Sequence, residues 1–173
     1  MSEKQIIFYQ NPKIQYLFGL FGNEPVPTKQ DKFKPVNAFI RNDDGADSVL
    51  DGIYIKNPDI NSINEFETAI KNAAQRIFSD GKLIKKPQEI EVILSISVTE
   101  KRYKTVDVDN LAKFVLDALT GVAYDDDSQI ASLIVDKHIH ASRVHAILIG
   151  VTSLTEENTG FRREIKLYST NPW

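Results

Sequence analysis

The chain has 173 residues, 42% of them hydrophobic and 26% charged, with a formal net charge of −3 and no cysteine. That length and balance specify one globular domain large enough to bury a core, and exclude disulfide scaffolds and thiolate zinc sites. No apolar run approaches the roughly 18 residues of a membrane span, and the opening M-S-E-K-Q-I-I-F-Y-Q lacks the apolar stretch of a signal peptide, so no membrane partner and a cytoplasmic location are expected.

Residues 1–13 are polar, with a turn at Asn11-Pro12. Ile14 to Phe21 is apolar enough for a strand. Gly22 to Pro35 reads as a proline-stiffened loop, in which Lys29, Lys32 and Lys34 surround Phe33. Lysines with an interleaved aromatic suit a nucleic-acid backbone; a solvated loop is the plainer reading. Asn42 to Gly45 carries a hairpin-tip signal, and Ile53 to Lys56 a short strand. Ser62 to Phe78 is the clearest long helix. Ser62 and Glu65 make an S-x-x-E capping box, and Ile63, Phe66, Ile70, Ala73 and Ile77 form one apolar stripe.

Glu89 to Thr99 alternates strongly, and Ile90, Val92, Leu94, Ile96 and Val98 share the face that should meet the helix. Lys101, Arg102 and Lys104 follow around Tyr103 and form the best basic patch of the chain, suited to phosphate contact. Ile130 to Lys137 and Val144 to Ser153 read as two neighbouring strands joined through His138 to Arg143. His138 and His140 read as ordinary hairpin residues, and Lys137 and Arg143 as further phosphate contacts. Residues 154–173 form a basic tail containing Arg162, Arg163 and Lys166. The order predicts a single α/β domain over 1–173, a mixed sheet covered by helices, with its motif core at 88–153.

The densest chemistry lies in Thr105 to Gln129, T-V-D-V-D-N-L-A-K-F-V-L-D-A-L-T-G-V-A-Y-D-D-D-S-Q, which holds six aspartates. Without them the remainder carries a slight excess of base. Leu111, Phe114, Val115, Ala118 and Leu119 have helical period, and Thr120-Gly121 stops the helix. Read as extended chain, Val106 to Asp109 points Asp107 and Asp109 the same way. Asp109, Lys113 and Asp117 make a polar stripe at intervals of four. Carboxylates so placed repel unless a cation lies between them. Magnesium suits such oxygen ligands, and phosphodiester hydrolysis uses it to activate water and to neutralise charge on the leaving oxygen. Taken singly, Asp109 is also an N-cap candidate and Asp125 to Asp127 a solvated turn.

D-x-D-N-L-x-K, D-A-L-T-G and D-D-S-Q together resemble the signature of the RusA family of Holliday junction resolvases. The resemblance is close from Val106 to Gln129. It implies a RusA-like fold and a magnesium-dependent endodeoxyribonuclease, with manganese as a possible substitute. It implies Asp107, Asp109, Lys113 and Asp127 as catalytic residues, with the three aspartates holding the metal; Asp126 is a weaker candidate. It further implies four-way or branched DNA as substrate, a homodimer that makes paired symmetric cuts, and a bacterial or phage-infected host cell. Two alternatives stand beside it: a catalytically silent binder of branched DNA, and a nuclease acting on flaps or forks.

Overall fold

The computed structural model describes residues 10–22, 25–28, 33–35, 38–41, 47–50, 54–56, 60–79, 81–139, 144–162 and 164. The alternating stretch expected to face a helix is the strand Ile90–Ser97, the sixth in chain order (β6). It lies inside a four-stranded sheet with β1 (Tyr16–Gly22), β7 (Ile130–His138) and β8 (His145–Ser153), in the spatial order β1-β8-β6-β7. β6 pairs antiparallel with β8 and parallel with β7, so the sheet is mixed. Two short antiparallel pairs complete the described strands: β2 (Phe33–Pro35) with β5 (Tyr54–Lys56), and β3 (Ala38–Arg41) with β4 (Asp47–Leu50). The β3–β4 pair brackets the expected hairpin tip. β2 replaces the end of the expected Gly22–Pro35 loop, because Pro35 at its last position needs no ladder N–H and β5 supplies a partner.

Two expectations change. β7 and β8 are not neighbours, because β6 runs between them. The reason is in β6 itself: Ile90, Val92, Leu94 and Ile96 are fully buried, and a strand so apolar gains most with a partner on both edges. The long helix α1 spans Ile60–Ile77, so Ser62 lies inside its first turn and the S-x-x-E box does not mark its start. Its inner stripe runs through Ile63, Phe66, Ile70, Ala74 and Phe78, with Ala73 and Ile77 on the margin.

α3 (Val108–Leu119) packs beside α1 on one face of the sheet, and Leu111, Phe114, Val115, Ala118 and Leu119 are buried as their spacing predicts. Phe66 of α1 and Phe114 of α3 meet with ring centroids 6.3 Å apart, and Phe78 closes on Tyr16 of β1 at 4.8 Å. Each such aliphatic or aromatic side chain contributes about 1.5–3 kcal/mol by leaving water. Among the described residues, the other face of the sheet is lined by chain without helix: Ile14 packs on Gly150, and the segment after β8 returns over Glu91.

A short helix, α2 (Glu100–Thr105), stands between β6 and α3 where only a basic patch was expected. It buries no residue, so no hydrophobic period announces it. Its anchor comes from β7. Lys137 Nζ donates to the carbonyls of Tyr103 at 2.8 Å and Val106 at 2.6 Å, and lies 4.7 Å from the centre of the Tyr103 ring. A cation at a helix C-terminus satisfies carbonyls that the helix leaves over and complements its dipole. Lys137 is therefore a structural clamp at the α2–α3 junction. Lys137→Met, which keeps the aliphatic stem, is expected to cost about 1–3 kcal/mol, read as a lower midpoint of urea unfolding with an unchanged slope, and to speed amide exchange in residues 103–108.

Candidate active site

The Lys137 clamp fixes the residue just before the D-x-D motif. Val106 is the last, extended residue of the α2 cap, and Asp107 is the N-cap of α3. Asp107 and Asp109 therefore do not alternate along an extended strand. Asp107 caps the helix with its backbone carbonyl accepting from Leu111 N at 3.3 Å, and its carboxylate accepts from the Asn110 side chain at 3.4 Å. Asp109 lies in the first turn and Lys113 one turn later; Asp107, Asp109 and Lys113 are all exposed. Two carboxylates at a helix N-terminus are stabilised by its dipole. Among the described residues, Asp109 and Lys113 take part in no ion pair. The helix thus presents two anionic oxygen donors and one ammonium on adjoining surface.

Asp127 is held by different means. It opens a 3-10 turn, Asp127–Gln129, capped by Asp126. Asp126 accepts from Ser128 N at 3.0 Å and pairs with Lys86 Nζ at 3.3 Å. The two Ser128 donors, hydroxyl and backbone N–H, and after them the Lys86 ammonium, hold the Asp126 carboxyl down at about 2. Asp125 is similarly engaged, accepting from Lys86 N at 3.1 Å. Of the three consecutive aspartates, only Asp127 is exposed without such a partner among the described residues.

Gln129 explains why the turn ends as it does, and sequence reasoning passed over it. Its side chain is only 5% exposed. The amide donates to Ile84 O at 3.2 Å and Gln88 O at 3.0 Å, while its oxygen accepts from Asp126 N at 3.0 Å. A strip of chain at 84–88 thereby backs the acidic turn, reinforced by Asp125 N to Ile84 O at 3.2 Å. The signal available in the sequence was a glutamine directly before an apolar stretch, in a turn otherwise made of aspartates and serine.

The structure brings Asp107, Asp109 and Lys113 together, and it sets Asp127 apart from them. β6 and β7 are parallel, with Ile90 opposite Ile130 and Ser97 opposite His138. Asp127 precedes β7 and lies at the end where both strands begin. Asp107 follows β6 and lies at the end where both strands finish, clamped there by Lys137. Asp117, near the far end of α3, and Asp127 both lie close enough to the buried Tyr124 to add to the effect of burial, which raises its phenol pKa; a hydrogen bond with Thr120 opposes them. From Asp107 to Asp117 the helix rises about 15 Å. Among the described residues no three acidic or histidine side chains converge to hold a metal ion. The donor atoms are of the kind a hard cation takes, but one chain does not gather them around a single point.

The basic candidates divide likewise. Arg102 donates to Val26 O at 2.7 Å, which ties α2 to the chain ahead of the hairpins. Lys104 pairs with Glu100 at 2.9 Å. Lys101 is exposed and, among the described residues, has no ion pair. Lys34 lies on β2 opposite Ile55. Lys29, Lys32, His140, Arg143, Arg163 and Lys166 lie outside the described residues.

A small α/β domain with exposed carboxylates and an ammonium grouped at one helix N-terminus has the equipment of a phosphodiester-cleaving protein. The family model of Endodeoxyribonuclease RusA matches residues 24–149 of the 173. The chain belongs to the RusA endodeoxyribonuclease family, whose members act on branched DNA junctions. No curated protein gives a significant match to the chain. No helix among the described residues is long and apolar enough to cross a membrane.

Two outcomes follow for the acidic turn. Gln129→Leu removes three hydrogen bonds, taking their side-chain partner from Gln88 O and Asp126 N while Ile84 O keeps Asp125 N, and is expected to lower stability by about 2–4 kcal/mol, measured by chemical denaturation. The Asp126 carboxyl, depressed to about 2, contributes stability that is present above the unfolded-state value and lost as pH falls through the folded one. Its carboxyl carbon should therefore titrate near 2 by NMR, and Asp126→Asn should flatten the acid limb of stability between about pH 4 and 2.

Proposed function

We propose that the protein resolves Holliday junctions by paired, symmetric, magnesium-dependent phosphodiester hydrolysis, as a homodimer, in DNA recombination and repair. The observation that carries this reading is the grouping of Asp107, Asp109 and Lys113 on the first turns of α3, exposed and held in place by Lys137. The separation of Asp127 from that group is the main constraint on the mechanism. If Asp107, Asp109 and Asp127 serve one metal, they must come from two copies, one giving the N-terminal end of α3 and the other its acidic turn. A two-fold dimer does this twice, since an isologous contact repeats every pairing. Two equivalent sites then face two strands of a junction that has nearly the same symmetry.

Magnesium, with manganese as a possible substitute, supplies activation of water and neutralisation of the leaving oxygen. The carboxylates bind and orient it. Lys113 adds positive charge where the phosphoryl oxygens accumulate negative charge in the transition state. Lys101 on α2 and, from the sequence, Lys104, Arg102, Lys29, Lys32 and Lys34 are the candidates for holding the DNA backbone. Such contacts fix register without reading bases.

The alternatives, a silent binder of branched DNA or a nuclease for flaps and forks, separate in one assay. A synthetic four-way junction, a flap and a duplex are incubated with the protein in magnesium and in chelator. Symmetric magnesium-dependent nicks confined to the junction support the proposal; binding without nicks in magnesium or manganese supports the silent binder, and preference for flaps the third reading. Asp107→Asn should abolish nicking while retaining junction binding, because it removes one ligand and one repulsive charge. The shared-site geometry adds a sharper expectation. Asp107→Asn and Asp127→Asn, each inactive alone, should regain activity when mixed, because a heterodimer rebuilds one complete site and leaves the other doubly defective. Its product should be a single nick. No recovery from a mixture shown to exchange subunits would overturn the shared site.

A further inference from the structure

The chain continues past the family-matched region, which ends at residue 149, and its next segment is built into the sheet. Glu91 of β6 has no solvent exposure, an unusual place for a carboxylate. Its Oε2 accepts from Ser132 Oγ of β7 at 2.9 Å, and its Oε1 from Phe161 N at 2.8 Å. Gly160 has φ +57, and a Cβ there would lie 2.3 Å from Glu91 Oε1, so only glycine lets the backbone approach this carboxylate. Arg162 pairs with Glu89 at 2.9 Å, and Lys13 lies 5.3 Å from the centre of the Phe161 ring. A buried carboxylate that lost the Phe161 donor would face a large desolvation cost, so the segment is firmly docked.

The docked segment is linked to the acidic turn by a chain of hydrogen bonds. Leu154 N donates to Glu89 O at 2.9 Å. Gln88 Nε2 donates to Leu154 O at 2.7 Å and to Glu89 O at 2.9 Å. The backbone carbonyl of that same Gln88 accepts from Gln129, whose oxygen receives Asp126 N. The turn itself is mostly exposed, with Asp125, Asp127 and Ser128 all facing solvent. Apolar packing therefore does little to fix it, and its orientation depends on the backbone that Gln129 grips.

We propose that residues 154–162 are a positioning segment for Asp127, acting through Gln88 and Gln129, with Glu91 as the socket that docks it. The inference rests on the reading of Asp127 as a functional carboxylate. None of these residues need touch DNA; they set where the Asp127 oxygens point.

The test uses the full chain with Gly160→Ala, which undocks the segment, and Gln88→Leu, which breaks the link while leaving Glu91 and Gly160 intact. Amide exchange is followed in peptides covering 125–129 and 154–162, and junction nicking is followed across a magnesium titration. Both variants should raise exchange in 125–129 by about tenfold or more, as loss of one protecting hydrogen bond does. Both should raise the magnesium concentration for half-maximal nicking, leave the rate at saturating magnesium within about twofold, and leave junction binding in chelator unchanged. The double variant should do no more than either single one, because both break the same chain. Unchanged exchange in 125–129 in Gln88→Leu overturns the proposal, and that variant decides the matter if Gly160→Ala does not fold. Absence of nicking by the unaltered protein overturns the proposed function instead; the exchange result still decides whether segment and turn are coupled.

Discussion

The parallel pairing of β6 with β7 is the constraint on which this structure depends. Two parallel neighbours cannot be joined by a tight turn, so the connection must return along the whole sheet. Here α2, α3 and the acidic turn make that return. The acidic motif and the lysine that follows it lie on this connection, distributed along its length. Asp107, Asp109 and Lys113 occupy its beginning, Asp117 and Tyr124 its far end, and Asp127 the final turn into β7. The hydrophobic face of α3 anchors the connection, since Leu111, Val115 and Leu119 are all fully buried.

Each end of the connection has its own polar fastening. At one end Lys137 reaches from β7 to the carbonyls that close α2. At the other, Gln129 and Asp126 bind the acidic turn to residues 84–88. Both fastenings are side chains that sequence reasoning gave to another task or to none: Lys137 to phosphate, Gln129 to nothing. Both use a charged or amide group to donate to two backbone carbonyls at once. Such bonds orient a loop more sharply than apolar contact does, because their energy depends on angle as well as distance.

The division of labour among the aspartates follows from the same logic. In the run Asp125-Asp126-Asp127, the first two are occupied with Lys86 and Ser128, and they shape the turn that exposes the third. An acidic run in a sequence offers no way to tell a shaping carboxylate from a working one. The distinction lies in which of them finds a donor in the fold.

The sequence by itself determined the periodic elements. α1, α3 and β6 were legible to within a few residues because burial of one face imprints a 3.6- or 2-residue period on the chain, and β7 and β8 as short apolar stretches. The motif residues were legible too, because family resemblance rests on local spacing. Tertiary structure alone decided the strand order, the existence of α2 and the distance between the parts of the site. β8 pairs with β6 and not with β7 because pairing is a contest between surfaces that a linear reading cannot rank. α2 buries nothing and so leaves no period to read. Asp107 and Asp127 stand at opposite ends of α3 because a parallel crossover separates what a motif places close together. Seventeen residues of sequence between Asp109 and Asp127 say nothing about separation in space until the direction of β7 is known.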